Sequence, residues 1–179
     1  YLFVDSDRPV FMIPIQNQIG EYIYPLINNS IGQRLEMWRA AWLIARDHIF
    51  MGAGTGSYMA EVKKISKERR VFPAIVSYDH PHNDYLNSLS SQGFLGIAAY
   101  LTGLVYPLFL FVKALAQGDK YRRAAGYAGI IMVLGLLVFG MTETMFTHSI
   151  VMSWYVTFTA MLMAIIFRQK DTETHDVGS

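Results

Sequence analysis

The stretch FLGIAAYLTGLVYPLFLFV, residues 94–112, is long, apolar and free of charged side chains. Two later stretches share this character: AAGYAGIIMVLGLLVFGM at residues 124–141 and IVMSWYVTFTAMLMAIIF at residues 150–167. About 18 apolar residues, at roughly 1.5 Å per residue, are enough to cross the hydrocarbon core of a bilayer. A buried helix of a soluble protein rarely stays uncharged for so long. The sequence therefore predicts an all-α fold, an integral membrane helical bundle with three transmembrane helices.

The basic residues outside these stretches predict the orientation of the helices. Four lie between the first and second stretches and two follow the third, whereas the intervening TETMFTHS, residues 142–149, has none. The six residues are Lys113, Lys120, Arg122, Arg123, Arg168 and Lys170. Cytoplasmic loops of membrane proteins carry the excess of Lys and Arg. We therefore expect the region before residue 94 and the 142–149 turn to lie on the non-cytoplasmic side.

Four segments are expected along the 179 residues. Residues 1–16 should end a truncated span and enter a loop, because the chain opens on YLFV without methionine and N-terminal helices are expected to be missing. Residues 17–93 should form a loop region with two helices and a histidine motif. Residues 94–170 should hold the three transmembrane helices, and residues 171–179 a cytoplasmic tail. The chain is thus expected to be the C-terminal fragment of a larger protein.

The loop region contains two predicted helices. The first should cover about residues 31–50, because Ser30 and Gln33 have the spacing of a capping box and Gly52 follows the helix. Its apolar side chains recur at steps of three and four residues and form one stripe: Leu35, Trp38, Trp42, Ala45 and Ile49. The second helix should cover about residues 58–70. Its five basic side chains form either a solvated face or a patch attracted to anionic lipid.

The segment YDHPHNDY, residues 78–85, is the densest polar cluster and lies just before the first apolar stretch. Its residues allow three interpretations. In the first, Asn83 or Asp84 caps the following helix. In the second, His80, His82 and a carboxylate bind a metal, although the spacing fixes no third ligand. In the third, one histidine acts as a general base on a substrate hydroxyl.

The histidine motif resembles a known family signature. His82 and Asn83 are followed by nine residues and then by Gly93-Phe94-Leu95-Gly96, which is similar to the H-[NSQ]-x9-G-x-x-[GTY] signature of bacterial O-antigen ligases. Two longer segments, GQRLEMWRAAWLIARDHIFMGAGTGSY and HPHNDYLNSLSSQGFLG, resemble the domain that these ligases share with O-antigen polymerases. The resemblance covers roughly residues 31–100.

This resemblance implies a GT-C-type membrane glycosyltransferase. Such an enzyme transfers a glycan (O-antigen) from undecaprenyl diphosphate to an acceptor hydroxyl, most often on lipid A–core, with inversion and without metal or cofactor. It implies a multi-pass protein of the bacterial inner membrane with its active site on the periplasmic face. The expected partners are the lipid-linked donor, the acceptor and membrane lipids, with no nucleic acid. O-antigen polymerase and protein O-oligosaccharyltransferase are the sibling alternatives.

The resemblance also implies roles for individual residues. His82 matches the catalytic histidine, and Arg34 is the matched candidate for binding the diphosphate, with Arg39 as a second candidate. A solvated Arg34 beside Trp38 is the alternative for that position. The expected supporting residues are His80, Asn83, Asp84 and Glu143. Glu143 lies in the 142–149 turn, on the same side as His82, where it could line the acceptor cleft.

Two other classes of function compete with the transferase. A transporter would line its path with polar residues, but the three apolar stretches contain no ionisable side chain that marks an ion pathway. A non-catalytic membrane scaffold would tolerate the loss of His82. Release of undecaprenyl diphosphate during turnover separates the transferase from both.

Overall fold

The structure is a computed structural model that describes residues 29–117 and 119–168. Its regular elements in these ranges are all helical, so the predicted all-α fold is confirmed. The five α-helices are α1 (Ser30–Asp47), α2 (Tyr58–Lys67), α3 (Asp84–Gln117), α4 (Lys120–Phe139) and α5 (Ser149–Phe167), with short 3-10 turns at Pro73–Ile75 and Met145–Thr147. The expected truncated span at residues 1–16 and the tail at residues 171–179 lie outside the described residues.

Three of these helices, α3, α4 and α5, are long and apolar enough to cross a membrane. The protein is therefore a multi-pass membrane protein. Helix α4 contacts both of the others. The closest approach joins α3 to α4, where the ring of Phe111 packs directly on Gly129, a position at which any Cβ would overlap the ring. Small residues of this kind allow membrane helices to pack closely.

Helix α3 begins earlier than the apolar stretch at residues 94–112. Asn83 caps it, because the side-chain Oδ1 of Asn83 accepts a hydrogen bond from the backbone N–H of Leu86 at 3.0 Å. The helix is interrupted at Gly93, where φ is 68° and ψ is −159°. This left-handed conformation favours glycine. The short segment between Asp84 and Gly93 therefore belongs to the same element as the membrane helix but points in its own direction.

Helix α1 differs from its predicted bounds at both ends. Asn29, not Ser30, is the N-cap, and its Oδ1 accepts a hydrogen bond from the N–H of Gly32 at 2.7 Å. The last helical residue is Asp47, because His48 leaves the helical conformation with φ −135° and ψ 47°. Helix α2 likewise ends at Lys67, before Arg69 adopts a positive φ of 65°.

The buried face of α1 is not the predicted apolar stripe. The face that packs on α2 and on the Pro73–Ile75 turn is formed by Met37, Ala40, Ala41 and Ile44, which are at most 2% exposed. Of the predicted stripe, Ala45 is buried, but Leu35 and Trp42 remain 56% and 53% exposed. The small alanines allow α2 to approach closely, so packing selects their face over the one with larger side chains.

The segment after α1 lies directly on the break of α3. The N–H of Phe94 donates to the carbonyl of Ile49 at 2.8 Å, and the N–H of Ala53 donates to the carbonyl of Ser90 at 2.8 Å. A Cβ at Gly93 would overlap the carbonyl group of Phe50. Gly93 of the signature is therefore required twice, for its positive φ and for this backbone contact.

Candidate active site

His82 and Glu143 meet at one end of the helical bundle. The Nδ1 atom of His82 lies 2.9 Å and 3.1 Å from the two carboxylate oxygens of Glu143. The side chain of His82 is 23% exposed, and its backbone has a positive φ of 49°. No hydrogen bond within the described residues uses its Nε2 atom. Since a carboxylate at Nδ1 selects the tautomer with the proton on Nδ1, Nε2 is free to accept a proton.

His80 lies on the other side of the same carboxylate. Its Nε2 is 3.6 Å from Oε1 of Glu143, and its Nδ1 is 2.6 Å from Oδ1 of Asp79. The rings of His80 and His82 have centroids 4.5 Å apart. The two histidines therefore share Glu143, with His82 the closer of the two.

Glu143 is held as a carboxylate. Burial by itself would raise its pKa, but the hydrogen bond from the N–H of Thr144, the contact with His82 and the charge of His80 together lower the pKa below its ordinary value of 4.5. The Thr144 N–H lies 3.0 Å from Oε1. Glu143 is thus ionised at neutral pH and suited to stabilise a protonated histidine.

The turn that carries Glu143 is fixed by the histidine motif itself. Asp84 is 2% exposed, and its carboxylate accepts hydrogen bonds from the N–H groups of Met145 at 3.0 Å and Phe146 at 3.2 Å. The Nδ2 of Asn83 donates to the carbonyl of Met141 at 3.0 Å. Asn83 and Asp84 therefore hold the 142–149 turn against the start of α3, so that Glu143 reaches His82.

Arg34 joins the same end of the bundle from α1. Its Nη1 donates to the carbonyl of Thr142 at 2.9 Å, one residue before Glu143. One hydrogen bond uses only part of the guanidinium group, which has five N–H donors. Among the described residues no other hydrogen bond of Arg34 is recorded, which leaves donors that could bind an anion near the 142–149 turn.

Arg39 lies elsewhere on α1. Its Nη1 contacts Oε1 of Glu36 at 3.0 Å, and that same oxygen accepts a hydrogen bond from the N–H of Phe72 at 2.9 Å. Across residues 29–117 and 119–168, no recorded contact joins Arg39 to His82 or to the turn. Its predicted role in diphosphate binding stays a prediction that no contact supports.

The site also has the composition of a metal centre. Ligand atoms of His80, His82 and Glu143 all lie within 4.8 Å of one another. Two imidazoles and one carboxylate suit zinc and related divalent ions. The sequence left the third ligand open, and Glu143 is the residue that could supply it. Activity in the presence of a chelator decides whether the reaction needs a metal. That the reaction needs no metal stays a prediction.

The pairing of Glu143 with His82 is the functional contact that sequence reasoning missed. The sequence placed both residues on one side of the membrane and assigned Glu143 to the acceptor cleft. The sequence contained a signal for this pairing. Between residues 124 and 167, Glu143 is the only residue with a carboxylate side chain. An isolated acid in a short turn next to a histidine motif indicates a partner for that histidine.

The fold and the site define a multi-pass membrane protein with a carboxylate-bound histidine at one end of its helices. Residues 27–101 match the family model described as O-antigen ligase. Residues 27–101 are thus similar to the O-antigen ligase superfamily, and the resemblance of the His82 motif is confirmed. The match includes α1, α2 and the start of α3 but ends before Glu143.

One curated relative extends the comparison beyond that domain. An uncharacterized protein of Haemophilus influenzae is 25% identical over 139 residues, which are 78% of this chain and 34% of the relative. The chain spans about a third of the length of this relative.

Replacement of Glu143 with alanine should slow turnover by roughly 10–100-fold, by analogy with the loss of residues that orient a functional histidine. The reason is that His82 loses both the partner that fixes its tautomer and the carboxylate that stabilises its protonated form. The measurement is the initial rate at saturating donor. Glu68→Ala, which removes an exposed carboxylate directly after the end of α2, is the matched control. A wild-type rate for Glu143→Ala would refute the orienting role.

Proposed function

We propose that this protein is a membrane glycosyltransferase that moves a glycan from undecaprenyl diphosphate to an acceptor hydroxyl, with lipid A–core as the acceptor and His82 as the general base. The observation that carries the proposal is the contact of His82 Nδ1 with Glu143 at 2.9 Å. His82 lies in the segment that matches the O-antigen ligase family model, and Glu143 lies outside it. Glu143 contacts Nδ1 of His82, and no hydrogen bond within the described residues uses Nε2. This atom lies at one end of the membrane bundle and can accept a proton.

The proposed reaction is a single inverting displacement. Nε2 of His82 removes the proton of the acceptor hydroxyl as its oxygen attacks the anomeric carbon, since an unassisted sugar hydroxyl is a poor nucleophile. The new glycosidic bond forms while the bond from the anomeric carbon to the diphosphate oxygen breaks. Undecaprenyl diphosphate leaves with the electron pair. The proton stays on His82, where the Glu143 carboxylate stabilises the imidazolium until solvent removes it.

Arg34 is the candidate for stabilising the leaving diphosphate. Its hydrogen bond to Thr142 holds the guanidinium beside the turn that carries Glu143. Arginine binds phosphate oxygens in pairs of parallel hydrogen bonds, which suits a leaving group whose negative charge grows in the transition state. Without a metal ion, such fixed donors are the main source of that stabilisation.

Arg34→Lys should lower kcat/KM for the lipid-linked donor by about 10²–10³-fold, the usual loss when one fixed donor to a developing anion is removed. Lysine keeps the charge but cannot make the same paired hydrogen bonds. The measurement is donor titration of the reconstituted enzyme. Arg39→Lys on the same helix is the matched comparison, and it should change kcat/KM by less than a few-fold. A larger loss for Arg39→Lys than for Arg34→Lys would assign the diphosphate role to Arg39.

The proposed location is the periplasmic face of the bacterial inner membrane. Helix α4 runs from Lys120 to the Gly140 end, where His82 and Glu143 lie, so its basic N-terminal end and the site are at opposite ends of the bundle. At the basic end, Arg122 donates to the backbone carbonyl of Arg168. Because Lys and Arg are in excess on the cytoplasmic side of membrane proteins, we assign the basic end of α4 to the cytoplasm. This orientation supports a non-cytoplasmic site at the opposite end.

The decisive experiment uses the full-length protein reconstituted with lipid-linked glycan and lipid A–core, with EDTA present in one of two parallel reactions. Transfer to lipid A–core in both reactions supports a metal-independent ligase. Lengthening of the lipid-linked glycan instead identifies a polymerase, and transfer to an added acceptor protein identifies a protein O-oligosaccharyltransferase. If no acceptor releases undecaprenyl diphosphate, the transferase proposal is wrong. Activity that EDTA abolishes and Zn²⁺ restores would refute metal independence alone.

A further inference from the structure

Helix α1 has a second apolar face that nothing in the described residues covers. Ile31, Leu35 and Trp42 are 71%, 56% and 53% exposed. At about 100° per residue they lie within roughly 40° of one another around the helix, and well away from the face that packs on α2. We call this row of three side chains the outer stripe. Exposed apolar rows of this kind indicate a binding surface.

Hydrogen bonds near both ends of α1 connect this helix to the ends of the membrane helices. Near its start, Arg34 donates to the carbonyl of Thr142, which lies in the turn directly after α4. Just after its end, the carbonyl of Ile49 accepts the hydrogen bond of the Phe94 N–H at 2.8 Å. Phe94 is the first residue of the apolar stretch at residues 94–112 of α3. Helix α1 therefore lies across one end of the bundle, at the depth of a membrane surface.

The apolar surface of the membrane helices continues onto the segment after α1. Phe94 and Leu95 on α3 are 61% and 58% exposed. Phe50 and Met51, which follow Ile49, are 75% and 72% exposed. The backbone of Phe50 packs on Gly93, so these four side chains occupy neighbouring positions. These backbone contacts thus bring Phe50 and Met51 close to the exposed apolar side chains at the start of the apolar stretch of α3.

Charged side chains flank the outer stripe in the pattern of a membrane-surface helix. Arg39 and Arg46 are exposed and lie about 60–80° around the helix from Ile31, beside the stripe and not within it. Arginine at such positions extends its head toward lipid phosphates while its apolar stem remains in the interface. Trp42, within the stripe, is a residue type enriched at membrane–water interfaces.

We propose that α1 is an interfacial helix, with the outer stripe and the Phe50–Met51 tip embedded in the phospholipid leaflet on the His82 side of the membrane. The partner of this surface is the bilayer itself. The inference stands on the exposed side chains and their anchors, and it holds whatever reaction His82 serves. If the proposed transferase function is correct, this placement also keeps Arg34 at the depth of lipid phosphates, where the diphosphate of a lipid-linked donor lies.

The test measures the depth of single labelled positions in the full-length protein in liposomes. Leu35→Cys, Trp42→Cys and Phe50→Cys, each on a background without other cysteines, carry an environment-sensitive fluorophore. Aqueous iodide and lipids spin-labelled near the headgroup are the two quenchers. Lys63→Cys, at an exposed position of α2, is the control for water, and Val105→Cys, at an exposed position near the middle of residues 94–112, is the control for the membrane interior.

At positions 35, 42 and 50, we expect the lipid spin-labelled near the headgroup to quench the fluorophore at least a few-fold more strongly than at position 63. We also expect these three positions to be protected from iodide. Quenching by iodide at the level of the Lys63→Cys control would overturn the proposal. Protection from both quenchers would overturn it as well, because the stripe would then be covered by another part of the protein. Neither readout depends on transferase activity, so this proposal and the proposed function fail separately.

Discussion

His82→Ala should lower the rate of glycan transfer by about 10²–10⁴-fold, the range that a positioned general base contributes. The loss follows from the geometry, because Nε2 of His82 is the free proton acceptor whose orientation Glu143 fixes through Nδ1 at 2.9 Å. His80 cannot replace it directly, since Nδ1 of His80 faces Asp79 and its Nε2 faces Glu143. The measurement is single-turnover transfer with saturating donor and acceptor.

A second variant separates loss of chemistry from loss of fold. His82 has a φ of 49°, a conformation that asparagine adopts more readily than alanine. His82→Asn should therefore keep the wild-type thermal stability and still lose the same activity, because an amide does not act as a base at neutral pH. His80→Ala is the matched control and should lose less than about 10-fold. Transfer at more than a tenth of the wild-type rate in His82→Asn would remove His82 from the mechanism.

Among the glycines of α3, Gly93 should be the one whose replacement by alanine lowers the stability of the protein most. The positive φ of 68° alone costs a non-glycine residue about 1–3 kcal/mol, and the new Cβ also overlaps the Phe50 carbonyl. We expect the thermal midpoint to fall by on the order of 5 °C or more. Activity should fall with it, because the same contact joins α1, and so Arg34, to the start of the membrane helix. Thermal unfolding in detergent, followed by tryptophan fluorescence, measures the change.

The chain offers a close control for this substitution. Gly103 lies in the same helix, has no positive φ, and has nothing within 4 Å of the position that a Cβ would occupy. Gly103→Ala should therefore leave the thermal midpoint unchanged or raise it slightly, since alanine is the better helix former. Equal midpoints for Gly93→Ala and Gly103→Ala would mean that the contact with Phe50 does not contribute to stability.

The membrane helices and the histidine motif could be predicted because they depend on local sequence. A run of apolar residues long enough to cross a bilayer is visible in one segment, and α4 and α5 lie close to the predicted stretches at residues 124–141 and 150–167. The start of α3 could not be placed by hydropathy, and the sequence offered an Asn83 or Asp84 cap there only as one of three interpretations of the polar cluster. It depends on the Asn83 cap and on Gly93, and a polar helical turn before an apolar run leaves no hydropathy signal.

In helix α1, the spacing of apolar residues did not predict which face is buried. Its sequence contains two apolar faces, and step counting identifies the larger side chains of Leu35 and Trp42 first. Tertiary packing buries the other face, because Ala40 and Ala41 allow α2 to come close. A pattern of three- and four-residue steps establishes that a helix is amphipathic, but it does not establish which neighbour covers which face.

The sequence by itself determined the three apolar helices, the His82 motif and the side of the membrane on which we expect it, since each rests on residue types within one stretch of chain. Only the tertiary structure decided that Glu143 binds His82, across 61 positions of sequence, and that Arg34 reaches the same turn. The physical reason is that hydropathy and charge belong to single residues. The contact between His82 and Glu143 instead depends on how α3 and α4 pack, and on the hydrogen bonds by which Asn83 and Asp84 hold the turn between α4 and α5.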